Sequence, residues 1–444
     1  MASSPLRIGI DIGGTFTDFV VYNPSTQQTN TFKLLSTPAN PALAVLEGLN
    51  QILSDRSDKQ ATIVHGSTVA TNALLEYKGA RTALVSTAGF KDILQIGRQN
   101  RPSLYDLTVS LPEPLVPADM RFEVDERVLH TGEVLKTLDP AQVQSLTKSI
   151  EATSAEAVAI CLLFSFLHPE HENQIAESLR SAGYFVSVSS EILPEFREYE
   201  RCSTTVVNAY VSPVLGKYLT YLENVLEPGM RLSVMQSNGG AIQPAEARQA
   251  GVRCILSGPA GGVVGCEYIG KSIHPDGALR LIGFDMGGTS TDVSLIDGTR
   301  QITTEAVVSG HPIHLPMLDI HTIGAGGGSI ARVDPGGALR VGPESTGADP
   351  GPACYGKGDI PTITDANVVL GRLAPELFLD GKMQLDAHRS WLAIEKIGKQ
   401  LNMETTRVAL GIIQVANAHM ERALRVISVE RGWEIGRASC RERV

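Results

Sequence analysis

The chain has 444 residues, of which 43% are hydrophobic and 19% charged, a composition typical of a globular protein with two or more domains. Its net charge of −10 argues against a surface for nucleic acid or anionic membranes. The N-terminus lacks an apolar stretch of signal-peptide length, and no run of about 18 apolar residues predicts a membrane span. Six scattered cysteines without a CxxC pair indicate reduced, mostly buried thiols in a cytoplasmic protein.

Strand and helix signals alternate in the first part of the chain. "LRIGIDI", "DFVVYN" and "NTFKLLS" predict three antiparallel strands, followed by a helix with Asn40 as its N-cap. "ATIVHGS" predicts a strand that leads into a helix ending at Gly79. After the Pro-rich stretch 101–117, two strand–helix units lead to a long helix near 195–226, broken near Pro213. This alternation predicts an α/β layer.

The second part of the chain repeats this pattern. "RLSVMQSNGG" and "GVRCILSGPAGG" each predict a strand that enters a glycine turn, and "AGGVVGCEYIG" predicts a helix. "LRLIGFDMGGTSTDVSLIDG" predicts a strand–turn–strand unit, and a glycine-rich loop between short strands follows in "DIHTIGAGGGSIARVD". We predict little regular structure in "VGPESTGADPGPACYGKGD" and two closing helices, near 387–401 and 404–430.

The last ten residues, "IGRASCRERV", differ from the rest of the chain. They are basic, break the preceding helical pattern and can be back-translated into a common sequencing-adapter sequence. We therefore predict that 435–444, with Cys440, is an assembly artefact and that the native gene continues past Glu434. The remaining chain is predicted to form two domains, at 5–190 and 200–434.

One unusual string occurs twice. "IGIDIGGTFTD" at 8–18 and "IGFDMGGTSTD" at 282–292 match at eight of eleven positions. In each copy an aspartate, Asp11 or Asp285, ends an apolar strand, and two glycines then allow a sharp turn and a close approach to a ligand. Backbone N–H groups and threonine hydroxyls in such a turn can hold phosphate oxygens.

These two copies predict a nucleotide site between two lobes. A single copy is equally compatible with a plain β-hairpin, but two copies need one explanation, and a phosphate clamp supplies it. We expect Asp11 and Asp285 to hold Mg²⁺ or to orient an attacking group. The predicted phosphate contacts are Gly13, Gly14, Thr15, Thr17, Gly287, Gly288, Thr289 and Thr291.

Other segments offer weaker candidates. The "GAGGGS" loop could contact the nucleotide through Gly324, Gly326, Gly327 and Gly328, or it could be a flexible turn. Asp319 and His321, two apart on a strand, could form a metal or substrate pair or a hydrogen-bonded structural pair. "GCEYIGKS" at 265–272 matches the P-loop pattern, but it begins inside a predicted helix, so we reject it.

"HGSTVATN" lies where a strand ends and a helix begins, a position that attracts anions. His65, Ser67, Thr68, Thr71 and Asn72 are therefore substrate candidates, although capping by Ser67 or Thr68 explains the segment equally well. The nearest candidate cations for an acidic substrate are Arg98 and Arg101, for which a solvated loop is the alternative.

The paired strings resemble the two phosphate loops of the superfamily of actin, sugar kinases and large ATP-dependent chaperones. Further motifs narrow the resemblance to the A-type subunits of the hydantoinase/oxoprolinase family. Besides the two strings they are "HGSTVATNALLEYKGARTALVSTAGFKDILQIGRQNRPSLYDL", "SNGG", "SGPAGGVVG", "DIHTIGAGGGSIA", "GADPGPACYG", "TDANVVLGRL" and "ANAHMERALRVISVERG". The resemblance implies a two-lobed actin-like ATPase fold, with ribonuclease H-like mixed five-stranded sheets flanked by helices and an incomplete second lobe.

The resemblance also implies an activity. Family members use ATP, with Mg²⁺, to open the ring of 5-oxoproline or a hydantoin by phosphorylating the carbonyl oxygen, or to help carboxylate ketones. It implies a small cyclic amide or ketone as substrate, a B-type subunit or fused B region as partner, and a homo- or hetero-oligomer. Three alternatives stay open: a small-molecule kinase, a non-catalytic nucleotide switch, and an inactive fragment.

Overall fold

The computed structural model describes residues 5–37, 40–54, 56, 59–100, 113–275, 277, 279–379 and 381–433. Most of the Pro-rich connection, with Arg101, lies outside these described residues. So do residues 434–444, which include the predicted artefact and Cys440.

The chain forms twenty strands in its described part, numbered in chain order. They are β1 (Leu6–Ile12), β2 (Phe16–Asn23), β3 (Gln28–Leu35), β4 (Ala61–Ser67), β5 (Thr82–Thr87), β6 (Arg121–Val124), β7 (Arg127–Val128), β8 (Val134–Lys136), β9 (Ala157–Cys161), β10 (Phe185–Val188), β11 (Met230–Met235), β12 (Ala241–Ile242), β13 (Arg280–Met286), β14 (Thr291–Asp297), β15 (Thr299–Arg300), β16 (Ile302–Val308), β17 (His311–Leu318), β18 (Ile320–Ile323), β19 (Ser329–Val333) and β20 (Leu339–Ser345).

Twelve α-helices cover these strands in the described part of the chain. They are α1 (Ala42–Leu53), α2 (Val69–Leu75), α3 (Ile93–Ile96), α4 (Pro140–Glu151), α5 (Glu170–Ser181), α6 (Ser189–Ile192), α7 (Glu198–Val225), α8 (Pro244–Gln249), α9 (Ser257–Ile273), α10 (Ile363–Val369), α11 (Ala387–Leu401) and α12 (Thr405–Ile427).

The largest sheet has six strands in the order β12-β11-β4-β1-β2-β3. β2 pairs antiparallel with both β1 and β3, whereas β4 pairs parallel with β1 and β11 pairs parallel with β4. The predicted five-stranded mixed sheet is therefore present, and the short β12 adds a sixth strand through an antiparallel pair with β11. Even-numbered residues of β1 are buried in the core and odd-numbered ones, with Asp11, lie on the opposite face.

Three other units lie beside the large sheet, and the strand pairs β16–β17 and β7–β8 form two further small sheets. A parallel sheet, β10-β9-β5-β6, has its own core around β9. A smaller sheet holds β13, β14 and β15, with β18 on the other side of β14. This smaller sheet repeats the antiparallel first strands of the large sheet but has no parallel strand beside β13 in the described residues, which agrees with the predicted incomplete second lobe. A third unit packs α10, α11 and α12 against the hairpin β19–β20.

Several local predictions are corrected by the structure. The long helix α7 runs without interruption through Pro213, because its residues pack against both large sheets. α2 ends at Leu75 rather than Gly79, whose missing side chain instead makes room for the ring of Tyr210. The predicted strand in "GVRCILS" is a 3-10 turn, Gly251–Cys254, that leads into α9. A short apolar run such as this one is compatible with a strand or with a helical turn, so its sequence pattern does not distinguish the two.

Two further boundaries differ slightly. α1 begins at Ala42, one residue later than predicted, and the Asn40 side chain accepts a hydrogen bond from the Ala42 amide at 3.3 Å. Part of the segment predicted to lack regular structure forms β20. Five cysteines are free thiols, four of them buried, as predicted. Among the described helices none is long and apolar enough to cross a membrane.

Candidate functional site

The two copies of the repeated string form equivalent β-hairpins. In the first, β1–β2, Asp11 lies opposite Asp18, and in the second, β13–β14, Asp285 lies opposite Asp292. Both turns close with the same backbone hydrogen bond, from Gly13 N to Phe16 O at 2.8 Å and from Gly287 N to Ser290 O at 2.9 Å. The hairpin interpretation and the clamp interpretation are therefore compatible, since each half of the clamp is a hairpin.

The tips of the two hairpins meet each other. A Cβ atom added to Gly14 would lie 3.2 Å from Thr289 Cγ2, and one added to Gly288 would lie 2.1 Å from Thr15 Oγ1. The contact is reciprocal, with the second glycine of each string facing the first threonine of the other. Only glycine allows this approach at residue 288. Residues 274 positions apart in the sequence thus form one site.

The glycine-rich loop packs against the second hairpin. Gly327 N donates to Gly287 O at 2.9 Å and Gly328 N to Gly288 O at 2.6 Å. A Cβ on Gly326 would lie 2.7 Å from backbone atoms of this hairpin. The loop is therefore fixed by backbone contacts, and its glycines, with Gly324 against Pro343, permit close packing at the edge of the site.

Four carboxylates surround the meeting point. Burial, together with the charges of Asp18, Asp285 and Asp292, raises the pKa of Asp11 to about 7. Burial also raises the pKa of Asp292 to about 6, against a hydrogen bond from Thr322 at 2.5 Å that lowers it. Burial and the charge of Asp18 raise the pKa of Asp285. Lys33 lies 3.0 Å from Asp18 and offsets part of this charge, and the remaining negative charge makes this a place where a cation would bind favourably.

At the meeting point of the hairpins, Asp11 Oδ1 and Thr15 Oγ1 are buried without a hydrogen-bond partner, a property they share with six other side-chain atoms in the described residues, among them His65 Nδ1. Asp11 Oδ1 lies against the backbone of Gly66 and Gly258, where an added Cβ would be 2.9 and 2.7 Å away. Asp11 Oδ1 can bind a cation, and the Thr15 hydroxyl can donate to a phosphate oxygen. No group of three or more His, Cys, Asp or Glu side chains in the described residues forms a metal cage. One or two carboxylates plus phosphate oxygens suffice for Mg²⁺, so the residues fit that ion.

Two predicted phosphate contacts lie in the interior instead. Thr17 and Thr291 are fully buried on the faces opposite Asp11 and Asp285. The Thr17 hydroxyl bonds that of Ser36 at 3.0 Å, and the Thr291 hydroxyl donates to the carbonyl of Ala325. This placement argues against phosphate contacts. The hydrogen bonds of the two threonines instead stabilise the turns.

The substrate candidates of "HGSTVATN" are largely structural. His65 is fully buried, its Nε2 lies 2.8 Å from the Tyr218 hydroxyl, and burial lowers its pKa to about 4. Ser67 is also fully buried, and its hydroxyl accepts from the Val69 amide at 3.2 Å, whereas Thr68, the N-cap residue of α2, makes no side-chain capping hydrogen bond. Both placements argue against direct substrate contact. Thr68 accepts a hydrogen bond from Asn72 at 3.4 Å and is half-buried.

Arg98 lies elsewhere. Its guanidinium makes a two-fold ion pair with Glu200, at 2.7 and 2.6 Å, beside a cavity of about 420 Å³ between α7 and β17. None of the described residues that line this cavity belongs to either hairpin. Asp319 uses both carboxylate oxygens in an ion pair with Arg431, which argues against a metal shared with His321. The rejected P-loop lies inside α9, with Lys271 paired to Glu267.

The sequence-based prediction missed two carboxylates and the start of one helix. Asp18 and Asp292 end the repeated strings, and a hairpin register would have placed them opposite Asp11 and Asp285. The N-terminus of α9 reaches Asp11 through Gly258, which lies in the "SGPAGG" segment predicted as a glycine turn. Its contact with the first hairpin carries no local signal in the sequence.

The fold and the paired hairpins define a protein of the actin-like ATPase class. A family model described as Hydantoinase/oxoprolinase matches residues 201–440, and one described as Hydantoinase/oxoprolinase N-terminal region matches residues 7–183. The chain therefore belongs to the hydantoinase/oxoprolinase family.

Named relatives and solved structures agree with this membership. The chain is 38% identical to the alpha chain of the Pseudomonas jessenii caprolactamase over 98% of its own length and 64% of the relative's, and 38% identical to 5-oxoprolinase of Saccharomyces cerevisiae over 97% and 38%. It matches a nucleotide-free acetone carboxylase with a TM-score of 0.84 at 29% identity, covering 97% of this chain and 64% of that one. The ATP-dependent caprolactamase structure gives 0.78 at 37% identity, with 96% and 64% covered. The chain thus spans less than two thirds of the length of these relatives.

Proposed function

We propose that this chain is the ATP-using part of an enzyme that opens a cyclic amide. The observation that carries the proposal is the reciprocal contact between the two glycine hairpins, which places Asp11 and Asp285 on two lobes around one site. The similarity to 5-oxoprolinase and to an ATP-dependent caprolactamase supports the substrate class. The two lobes would clamp the phosphates of ATP.

The chemistry explains why ATP is needed. Resonance protects a lactam C–N bond from water. The amide oxygen attacks the γ-phosphorus of ATP, the bond to ADP breaks, and the phosphorylated carbon loses that protection. One water then adds to the carbon and the C–N bond breaks, which leaves an acyl phosphate and a free amine. A second water releases phosphate, so the ring-opened amino acid, ADP and phosphate are the products.

The chain's own residues would position these groups. Gly14, Gly288 and Thr15 lie where the hairpins meet, and their backbone N–H groups and the Thr15 hydroxyl would donate to phosphate oxygens. Asp11 Oδ1 and Asp285 would hold Mg²⁺, which supplies charge neutralisation on the γ-phosphoryl group when it is bound. The raised pKa of Asp11 falls when a cation replaces its proton, so metal binding releases a proton there.

The proposal also includes a partner subunit and a cellular location for the enzyme. We expect a B-type subunit or fused B region, because the caprolactamase relative at 38% identity is named as an alpha chain, and we expect a cytoplasmic enzyme with a cyclic amide or ketone substrate.

The test is phosphate release from ATP, with the B-type neighbour co-expressed, against 5-oxoproline, a hydantoin and ε-caprolactam. We expect at least one cyclic amide to stimulate release and to yield the ring-opened acid. Asp11→Asn and Asp285→Asn should each lower stimulated release at least about 100-fold, because each removes a metal-directed charge. Full activity in both variants would show that the carboxylates are wrongly assigned.

A second candidate is the ATP-using part of a ketone carboxylase, which the acetone carboxylase match favours. The same assay with acetone and bicarbonate separates the two, since stimulation would then need bicarbonate and give a carboxylated product. A stable phosphorylated product would instead indicate a kinase.

A further inference from the structure

A second cavity, of about 640 Å³, lies beside the first hairpin. One wall is the exposed face of β2 and β3, with Phe16, Asp18 and Lys33, and the other is the segment 372–379, with Leu377 and Phe378. Ligand pockets for small molecules have volumes of about 300–1,000 Å³. Among the described residues that line this cavity, none is a glycine of either phosphate turn.

The strand register connects the cavity to the phosphate site. Asp18 on β2 lies directly opposite Asp11 on β1, and Lys33 on β3 lies opposite Asp18. Cross-strand partners point to the same face of a sheet and have Cβ atoms about 5 Å apart. The cavity therefore opens on the face that carries Asp11, within one strand of it.

Two charged groups of the cavity wall, Asp18 and Lys33, pair with each other, and a third, Arg372, lies at the rim. Lys33 Nζ lies 3.0 Å from Asp18 Oδ1 and 5.3 Å from the centre of the Phe16 ring. The Phe16 and Phe378 ring centres are 6.3 Å apart, and Tyr355 supports Phe378 from 5.8 Å. Nine of the thirteen described residues that line the cavity are aromatic or aliphatic, and the charges of Asp18 and Lys33 offset each other. Such a wall suits an uncharged, apolar ring.

We infer that this cavity binds the carbon ring of a neutral cyclic amide and directs its carbonyl oxygen towards the meeting point of the hairpins. The inference rests on the proposed function, because it names the substrate class for that site. Phe16 joins the two regions, as it belongs both to the phosphate turn and to the cavity wall. Leu377 and Phe378 are specificity-determining residues in this arrangement.

The test is direct binding of three lactams, 2-pyrrolidinone, δ-valerolactam and ε-caprolactam, to the whole chain. Ligand-observed NMR with a non-hydrolysable ATP analogue and Mg²⁺ present reads binding without turnover. Each added ring methylene that becomes buried should lower the dissociation constant about fourfold. Leu377→Asn and Phe378→Ala should weaken ε-caprolactam binding at least about tenfold and flatten this trend.

The chain offers a matched control. Leu135 is 67% exposed and Leu377 69%, and Leu135 lies on β8, away from the cavity. Leu135→Asn should leave all three dissociation constants unchanged.

Four outcomes would overturn the inference. One is the absence of a ring-size trend, and another is unchanged binding in Leu377→Asn. A third is displacement of the lactam by saturating nucleotide analogue, which would assign the cavity to the nucleotide. The fourth is tighter binding of 5-oxoproline than of 2-pyrrolidinone, lost in Arg372→Gln at the cavity rim, which would assign an acidic ring. Intact lactam binding without stimulated phosphate release would contradict the proposed function and leave the cavity assignment standing.

Discussion

The surroundings of Asp11 are unfavourable for a charged carboxylate. Its Oδ1 is buried without a partner among the described residues, and three other carboxylates add their negative charge. An unbound carboxylate in this position keeps its proton up to a pH near 7. With this raised pKa, the carboxyl group of Asp11 lowers the stability of the folded chain at neutral pH.

This residue predicts a pH dependence of stability. Because the pKa of Asp11 rises from 3.8 to about 7 on folding, the folded chain binds more protons than the unfolded chain between these values. The free energy of unfolding should therefore fall as the pH rises from about 4 to 7 and level off above that. Asp11→Asn should remove much of this fall and stabilise the metal-free chain at pH 8 by roughly 1–3 kcal/mol.

Urea unfolding in EDTA at pH 5 and pH 8 measures this effect. Asp119→Asn, at an exposed carboxylate outside the cluster, is the control and should behave like the parent chain. An equal decline in the parent chain and in Asp11→Asn would mean that the Asp11 carboxyl is not the group responsible.

At the scale of elements, the site depends on two hairpins and one loop that fit backbone to backbone. Gly288 lies against Thr15, and Gly326 lies against the turn of the second hairpin. The buried Asp365 at the start of α10 has a similar organising effect, since it accepts from the amides of Ala353 and Cys354 at 3.1 and 2.8 Å. These contacts hold the loops without help from long side chains.

Gly288→Ala tests the contact between the hairpins. The new Cβ would lie 2.1 Å from Thr15 Oγ1, so the tips must separate. We expect nucleotide affinity to fall at least about tenfold, with a stability loss of about 1–3 kcal/mol. Isothermal titration with an ATP analogue and thermal unfolding measure the two effects.

Gly265→Ala is the matched control, because a Cβ there meets no atom within 4 Å and the residue is inside α9. It should keep its affinity and gain up to about 1 kcal/mol in stability from helix propensity. Equal affinities of the two variants would show that the hairpin contact does not shape the site.

At the scale of the whole molecule, the two lobes differ at corresponding positions. β1 is paired on both sides, by β2 and β4, whereas β13 is paired only by β14 in the described residues. Near the unpaired edge of β13, the Phe284 side chain of this strand is 45% exposed and the Tyr268 side chain of the neighbouring α9 is 74% exposed. An unpaired strand edge with apolar side chains is a site for association with another chain.

We therefore expect this chain alone to self-associate through β13. Sedimentation velocity at about 1 to 100 µM should show growing oligomers, because exposed strand edges pair with each other. Phe284→Lys should shift the distribution to monomer, whereas Leu135→Lys, at another exposed apolar residue, should not. A parent chain that stays monomeric over this range would contradict the prediction.

The domain division at 190–200 stays a prediction. β11, at residues 230–235, pairs with β4 in the large sheet, so both predicted domains contribute strands to it. Long-range pairing of this kind is decided by tertiary contacts and has no local signature.

The sequence by itself was enough to predict the strands around both glycine strings and the family, since strand periodicity and a repeated turn are local properties. It also singled out Asp11 and Asp285 as candidate site residues. A single copy of the string is equally compatible with a plain β-hairpin, so the prediction of a shared site came from the pair. Only the tertiary structure decided which side chains share the site. It placed Thr17 and His65 in the core, placed Arg98 at another cavity, and brought Asp18, Asp292 and the start of α9 to Asp11. The physical reason is that the face of a strand and the partner of a loop depend on register and packing between segments hundreds of residues apart.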